Sequence, residues 1–348
     1  MKKLYALLFL LVFLVGCSQA ADTPVPVSEY ESEHGRAPLQ IVTSVFPQFD
    51  FVRQIAGEKV ELSMLISPGG EPHAFEPSPR DIITLNNADL IIYVGGHGES
   101  WVETIVNSLD QPNLRRVALL DLVNAVYKEV FEGMEHDHHH HDHSHDHDHD
   151  DHHDTDDHNH HDHDHDDHHH HDDEYDEHVW TSPRNVIMIV QALANILAEL
   201  DPYNAEYYQQ NAADYIVQLE ELDRAFAEVA TGGVRSTVVF GDRFPFRYLM
   251  DAYGLTFYAA FPGCSAETQA SPATIAFLID KVNSENIPTI FYTEFSARTI
   301  ANVIVEATGA HPLELHSAHN VSNADFTGGV TYLDIMNRNL EQLREALN

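Results

Sequence analysis

Cysteine is nearly absent: Cys17 and Cys264 are the only two in 348 residues. That excludes a disulfide scaffold and a Cys-rich zinc module. Basic residues are also scarce, 18 Lys and Arg against 56 Asp and Glu, for a formal net charge of −38. So acidic a chain repels phosphate backbones and has no basic patch to hold one, so nucleic acid is excluded as a partner and cations are the natural one. Long apolar runs are missing too, apart from Leu4 to Val15, which at about a dozen residues is too short to span a bilayer. Hydrophobic residues still make up 43% of the chain. That is enough for ordinary cores, and the length suits about two or three compact domains.

The apolar run follows Lys2 and Lys3 and ends in Leu14-Val15-Gly16-Cys17. This order reads as a bacterial lipoprotein signal over residues 1–17, cleaved before Cys17, whose sulfur then carries the lipid. A plain secretory signal with an incidental cysteine is the alternative. Residues 18–38 are small, polar and Pro-containing, as a tether between lipid and folded domain should be. The protein is therefore expected outside the cytoplasm, lipid-anchored to the bacterial cell membrane.

Folded sequence begins near Leu39. Gln40 to Phe46 reads as a strand, Asp50 to Ala56 as a helix closed by Gly57, and Val60 to Ile66 as a second strand. Ser78-Pro79 supplies an N-cap and a proline at the first helical position. The run Leu90 to Val94 is apolar without alternation, as in a sheet covered on both faces. Strands alternating with helices predict a parallel α/β sheet. The segment from Pro77 recurs from Ala270 as Ser-Pro, helix, polar turn and apolar strand, which predicts two similar parallel-sheet α/β lobes over 39–200 and 233–348. Between them, 201–232 reads as one connecting helix. Its row Tyr208, Ala212, Tyr215, Leu219, Leu222 and Phe226 keeps three-or-four spacing.

The first lobe carries an insertion at 135–177. It holds 20 of the 27 histidines and 19 carboxylates, with no Lys or Arg. From His136 to His171 almost nothing is apolar, so no core exists to offset chain entropy. Imidazoles bind borderline metals such as zinc, copper and nickel, and the carboxylates concentrate divalent cations. The tract reads as a weak multivalent metal collector, the alternative being a solvated polyanionic spacer.

A defined site needs donors at fixed places, and in open α/β sheets these gather beyond the carboxyl ends of strands. His73 lies in the loop after the second strand, and His178 follows the tract. Glu294 ends the strand Thr289 to Thr293, and His316 and His319 follow the strand Pro312 to Leu315. A cation held between the lobes is the economical reading. His34, His97 and His311 are taken as background. Cys264 is read as a buried thiol, with a soft metal ligand as the alternative.

These residues sit in segments of high specificity. They include Glu71-Pro72-His73-Ala74-Phe75-Glu76-Pro77-Ser78-Pro79, Glu99-Ser100-Trp101, His178-Val179-Trp180, Tyr253-Gly254-Leu255 and Tyr332-Leu333-Asp334-Ile335-Met336-Asn337. Together they resemble the zinc and manganese substrate-binding lipoproteins of bacterial ABC importers, over Gln40 to Leu347. The acidic His-rich insertion is similar to that of the zinc-type members. The resemblance implies two α/β lobes joined by a long helix, with a metal clamped between them, no enzymatic activity, and an ABC permease as membrane partner of a monomer. His73 and His178 match the first two ligand positions. The third departs, because Arg243 stands there and arginine cannot ligate a metal. At the fourth, the usual acidic residue is matched to His316, with His319 or Glu294 completing the shell and Arg243 pairing with Glu294 or Glu71. Three imidazoles and one further donor suit tetrahedral zinc better than manganese, so Zn2+ is the expected cargo. Other readings are a manganese or other divalent-metal binding protein and a surface adhesin or metal buffer. A zinc hydrolase is disfavoured by the absence of an HExxH pattern.

Overall fold

The computed structural model describes residues 37–72, 75–109, 111–128, 132, 174–263 and 270–348. Cys17, His73, Cys264 and the tract from 136 to 171 lie outside them.

The first lobe begins with β1 (Leu39–Thr43), α1 (Phe46–Ala56) and β2 (Val60–Met64). The strand expected to reach Phe46 stops three residues earlier. Pro47 occupies the first helical turn, where its missing N–H costs nothing, and the Gln48 side chain accepts the Val45 N–H at 2.9 Å. Gly57 closes the helix at φ 53°, as expected. Next come α2 (Pro79–Asn86), β3 (Leu90–Tyr93), α3 (Ser100–Ser108) and β4 (Arg115–Ala118). Ser78 caps α2 reciprocally: its hydroxyl faces the Asp81 N–H while the Asp81 carboxylate accepts the Ser78 N–H at 2.8 Å. The four strands are parallel, in the order β2-β1-β3-β4.

After α4 (Pro183–Leu200) the chain makes a 3-10 turn at Pro202–Asn204 and enters α5 (Ala205–Gly232). The turn replaces a helix starting directly at Pro202, because the Asp201 carboxylate accepts the Asn204 amide and the Tyr208 hydroxyl and holds the chain in a tighter coil. The 28 residues of α5 span about 42 Å at 1.5 Å per residue. Tyr208, Ala212, Tyr215, Leu219, Leu222, Phe226 and Val229 are all buried.

The second lobe repeats the first. It runs β5 (Thr237–Phe240), α6 (Arg247–Tyr253), β6 (Thr256–Ala259), α7 (Pro272–Glu285), β7 (Thr289–Tyr292), α8 (Thr299–Thr308) and β8 (His311–Glu314). Its strands are parallel, in the order β6-β5-β7-β8. Ser271 caps α7 by accepting the Thr274 N–H at 3.0 Å, so the two Ser-Pro helices lead to β3 and β7, which hold the same place in their sheets. In each sheet the strand order reverses between the first and third strands, and loops beyond that point meet a ligand crevice.

A short α9 (Asn323–Thr327) precedes α10 (Tyr332–Leu347). This last helix packs along α5 and returns to α1. Its Tyr332 N–H donates to the fully buried Asp50 carboxylate at 2.6 Å, and Arg53 and Gln54 donate to the same carboxylate. The lobes are thus tied by a second link that the sequence pattern does not reveal. Among the described residues no helix is long and apolar enough to cross a membrane.

Ahead of α3, the Gly98 N–H donates to Glu177 at 2.7 Å, and a Cβ on Gly98 would stand 2.5 Å from that carboxylate, so a larger residue would push the Glu177 side chain aside. The neighbouring Glu99 is buried. Desolvation, reinforced by Glu177, pushes its carboxyl up to about 7 against the hydrogen bonds from Ser44 and Val94. Unfolded, the group titrates near 4.5. Across that window the folded chain keeps a proton the unfolded chain has lost, so stability falls as pH rises, by ~3 kcal/mol in full. Glu99→Gln mimics the protonated form and should raise the thermal midpoint at pH 8 but leave it nearly unchanged at pH 4.5. An equal gap at both pH values would exclude this assignment.

Candidate metal site

His178 is 1% exposed and opens the 3-10 turn Val179–Thr181 ahead of α4. Two residues earlier, the Asp176 carboxylate accepts both the His178 backbone N–H and Nδ1 at 2.9 Å. A carboxylate only accepts, so Nδ1 carries the proton and the lone pair of a neutral ring lies on Nε2. Burial alone would raise the Asp176 carboxyl; its pairing with His178 outweighs it and holds the group below its ordinary value. The second lobe braces this arrangement, since the Tyr248 hydroxyl donates to the Asp176 carbonyl at 2.8 Å. Asp176→Ala frees the ring and is expected to weaken zinc binding by about 10- to 100-fold, read by competition with a chromophoric chelator. Unchanged affinity would remove Asp176 from the site.

His319 comes from the loop after β8. Its ring lies edge-on to His178, centroids 5.5 Å apart, and both rings contact Trp180. Trp180 is fully buried and donates its Nε1–H to the Ser317 carbonyl at 2.8 Å, while its own carbonyl accepts the Tyr332 hydroxyl at 2.7 Å. The indole therefore joins the His178 turn to the His319 loop. Asn320 fastens that loop to the first lobe by donating to Ser67 and Gly70 carbonyls at 2.9 and 2.8 Å, and the Gly69 N–H reaches Val321 at 2.7 Å. Glu71 and Pro72, which immediately precede His73, consequently line the same cavity as His319, about 210 Å³ in volume. His73 itself falls outside the described residues. Among those described, no three His, Cys, Asp or Glu side chains form a cluster able to hold a metal.

His316 faces elsewhere. Its backbone is clamped by Asn339, which accepts the N–H at 2.9 Å and donates to the carbonyl at 2.7 Å. Its Nδ1 accepts the Ala318 N–H at 2.9 Å. In a neutral ring that leaves the proton on Nε2, so neither nitrogen offers a lone pair to a metal. Ala318 turns the chain in the left-handed region at φ 59°, which sends His316 and His319 to different faces of one loop. Of the two histidines expected in the shell after this strand, His319 is the one set against His178, while His316 Nδ1 is engaged by its own loop. Glu294 accepts the Ser317 N–H at 2.7 Å and the Ser317 hydroxyl, and stands 3.7 Å from His316. Both of its oxygens thus brace that loop. Arg243 approaches Glu71 at 3.8 Å, one of the two partners expected for it.

The sequence reading missed Asp176, Ser317, Asn320 and Tyr248 as parts of the site. For Asp176 a signal existed: an acid two residues before a histidine is placed to reach its ring and backbone together. The others act across more than 60 residues of chain, and no local pattern announces them.

The family described as the periplasmic component A of the zinc-uptake complex, ZnuA, matches residues 41–346. The zinc-binding lipoprotein AdcA of Streptococcus pneumoniae strain R6 is 28% identical over 349 residues, covering 99% of this chain and 61% of that protein. The chain thus spans about three fifths of that relative. The high-affinity zinc uptake system protein ZnuA of Bacillus subtilis is 28% identical over 312 residues, covering 89% of this chain and 88% of the relative. The crystal structure of the Zn(II)-bound ZnuA-like domain of the pneumococcal AdcA superposes with a TM-score of 0.67 at 25% identity, covering 89% of this chain and 99% of that domain. With two parallel-sheet lobes and a match over most of its length, this chain belongs to the ZnuA family of zinc-uptake components.

Proposed function

We propose that this protein captures Zn2+ outside the cytoplasm and delivers it to an ABC permease, working as a lipid-anchored monomer and catalysing no reaction. The observation that carries the reading is the meeting of His178 and His319, from opposite halves of the chain, with the Asp176 carboxylate holding Nδ1 of the first. His73 is assigned as the third imidazole, on the strength of Glu71 and Pro72 lining the cavity that His319 also lines. Neutral nitrogens in a tetrahedral shell favour zinc over manganese. Two relatives are named for zinc binding or zinc uptake, and a structural neighbour holds Zn(II), which supports the same cargo. The lipid anchor rests on Cys17 and its preceding run.

The histidine-rich tract is assigned an auxiliary role, concentrating zinc near the cleft. Deleting residues 136–171 and titrating with Zn2+ and Mn2+, with metal counted per chain, tests both assignments. One tightly held Zn2+ per chain should survive, with Mn2+ bound far more weakly. Loss of all tight binding would make the tract the functional part and the protein a metal buffer.

A further inference from the structure

The turn that carries His178 is approached by a short two-stranded stem. Asp176 donates its N–H to the Val126 carbonyl at 2.8 Å, and the Lys128 N–H donates to the Glu174 carbonyl at 2.6 Å. Between these bonds Tyr127 and Tyr175 pair in antiparallel register with their rings stacked, centroids 4.5 Å apart. The Lys128 ammonium adds a bond to the Glu174 carboxylate at 2.9 Å. Along the chain this stem brackets the histidine-rich tract and leads directly into His178.

One side chain of the second lobe holds both strands of the stem. The Tyr248 hydroxyl, on α6, donates to the Asp176 carbonyl at 2.8 Å and accepts the Val126 N–H at 3.1 Å. The directions are fixed, because a carbonyl only accepts and an N–H only donates. Tyr248 is 5% exposed, and burial raises its hydroxyl well above the ordinary tyrosine range, so it remains a donor. The helix α6 also packs on the turn Val179–Thr181. Asp176 is thus engaged at both ends: its carbonyl is held by the second lobe, and its carboxylate holds Nδ1 of His178 at 2.9 Å. A shift at the Tyr248 hydroxyl reaches the imidazole through a single residue. Outer hydrogen-bond partners of this kind orient the ring of a metal-binding histidine.

We propose that Tyr248 is a positioning residue for zinc capture: by fixing the Asp176 backbone from the second lobe, its hydroxyl sets the orientation of the His178 ring in the first. This deepens the reading of His178 as a metal donor and rests on it. The lobes become interdependent, since the imidazole of one is oriented through a helix of the other.

The test is a double-mutant cycle of Tyr248→Phe and Asp176→Ala in the full chain, with zinc affinity read by chelator competition. Tyr248→Phe keeps the ring and removes the hydroxyl alone. It should weaken zinc binding by about tenfold, the lower end for an outer partner. In the Asp176→Ala background the same change should cost less than about threefold, because the carboxylate that relays it is gone and coupled neighbours are not additive. A hydroxyl that only stabilises the fold would cost the same in both backgrounds, and equal costs would overturn the proposal. So would a Tyr248→Phe chain that binds zinc as tightly as wild type. Tyr175→Phe deletes a hydroxyl from the outer pair of the stem and should shift affinity by less than about twofold. A cost there as large as that of Tyr248→Phe would assign the effect to the stem in general and overturn the proposal too. If His178→Ala leaves tight zinc binding intact, the metal reading fails instead, and that outcome is distinct.

Discussion

Replacing His319 with alanine is expected to weaken zinc binding by at least about two orders of magnitude, more than the 10- to 100-fold typical of an outer partner. His316→Ala should change it by less than about tenfold, since that ring only braces its own loop. The contrast between the two variants is the measurement, made by chelator competition on each. Both lie on the loop between β8 and α9, so a general loss of loop structure would affect them alike. The reverse order, with His316 dominant, would mean that Ala318 does not hold the turn in the left-handed conformation described. Acid should weaken binding for a separate reason: protons compete for the same imidazole nitrogens.

Trp180→Ala is the second large effect. The side chain is fully buried, and truncating a buried tryptophan costs about 3–5 kcal/mol through lost contact and the cavity left behind. Here the loss also strands the Ser317 carbonyl that the indole N–H satisfies, and removes the ring lying against both histidines. The expected outcome is a lower thermal midpoint together with weaker zinc binding. Trp180→Phe keeps most of the volume but not the donor. It should recover most of the stability while zinc affinity stays reduced. A Phe variant indistinguishable from wild type in both readouts would mean that the Ser317 bond positions nothing.

Much of the architecture was legible because it is written in local chemistry. The apolar runs of β3 and β7, the Ser-Pro caps of α2 and α7, and the buried row of α5 each follow from neighbours a few residues apart. The boundary at Phe46 was misread because a strand-like run continues into it, and only the capping contact of Gln48 with Val45 ends the strand. The return of α10 to Asp50 was not legible, since it joins positions 282 residues apart.

For the site, the sequence determined the class of chemistry. An anionic chain rich in imidazole, with His73, His178, His316 and His319 beyond strand ends, points to a divalent cation. Residue types alone establish that, because they set charge and donor hardness. Which histidines meet was decided by tertiary structure. Asp176 holds Nδ1 of His178, Asn339 and the Ala318 N–H engage His316, and Trp180 packs against both His178 and His319. Coordination depends on direction as well as identity, and the direction of a lone pair is set by hydrogen bonds to groups far away in the chain.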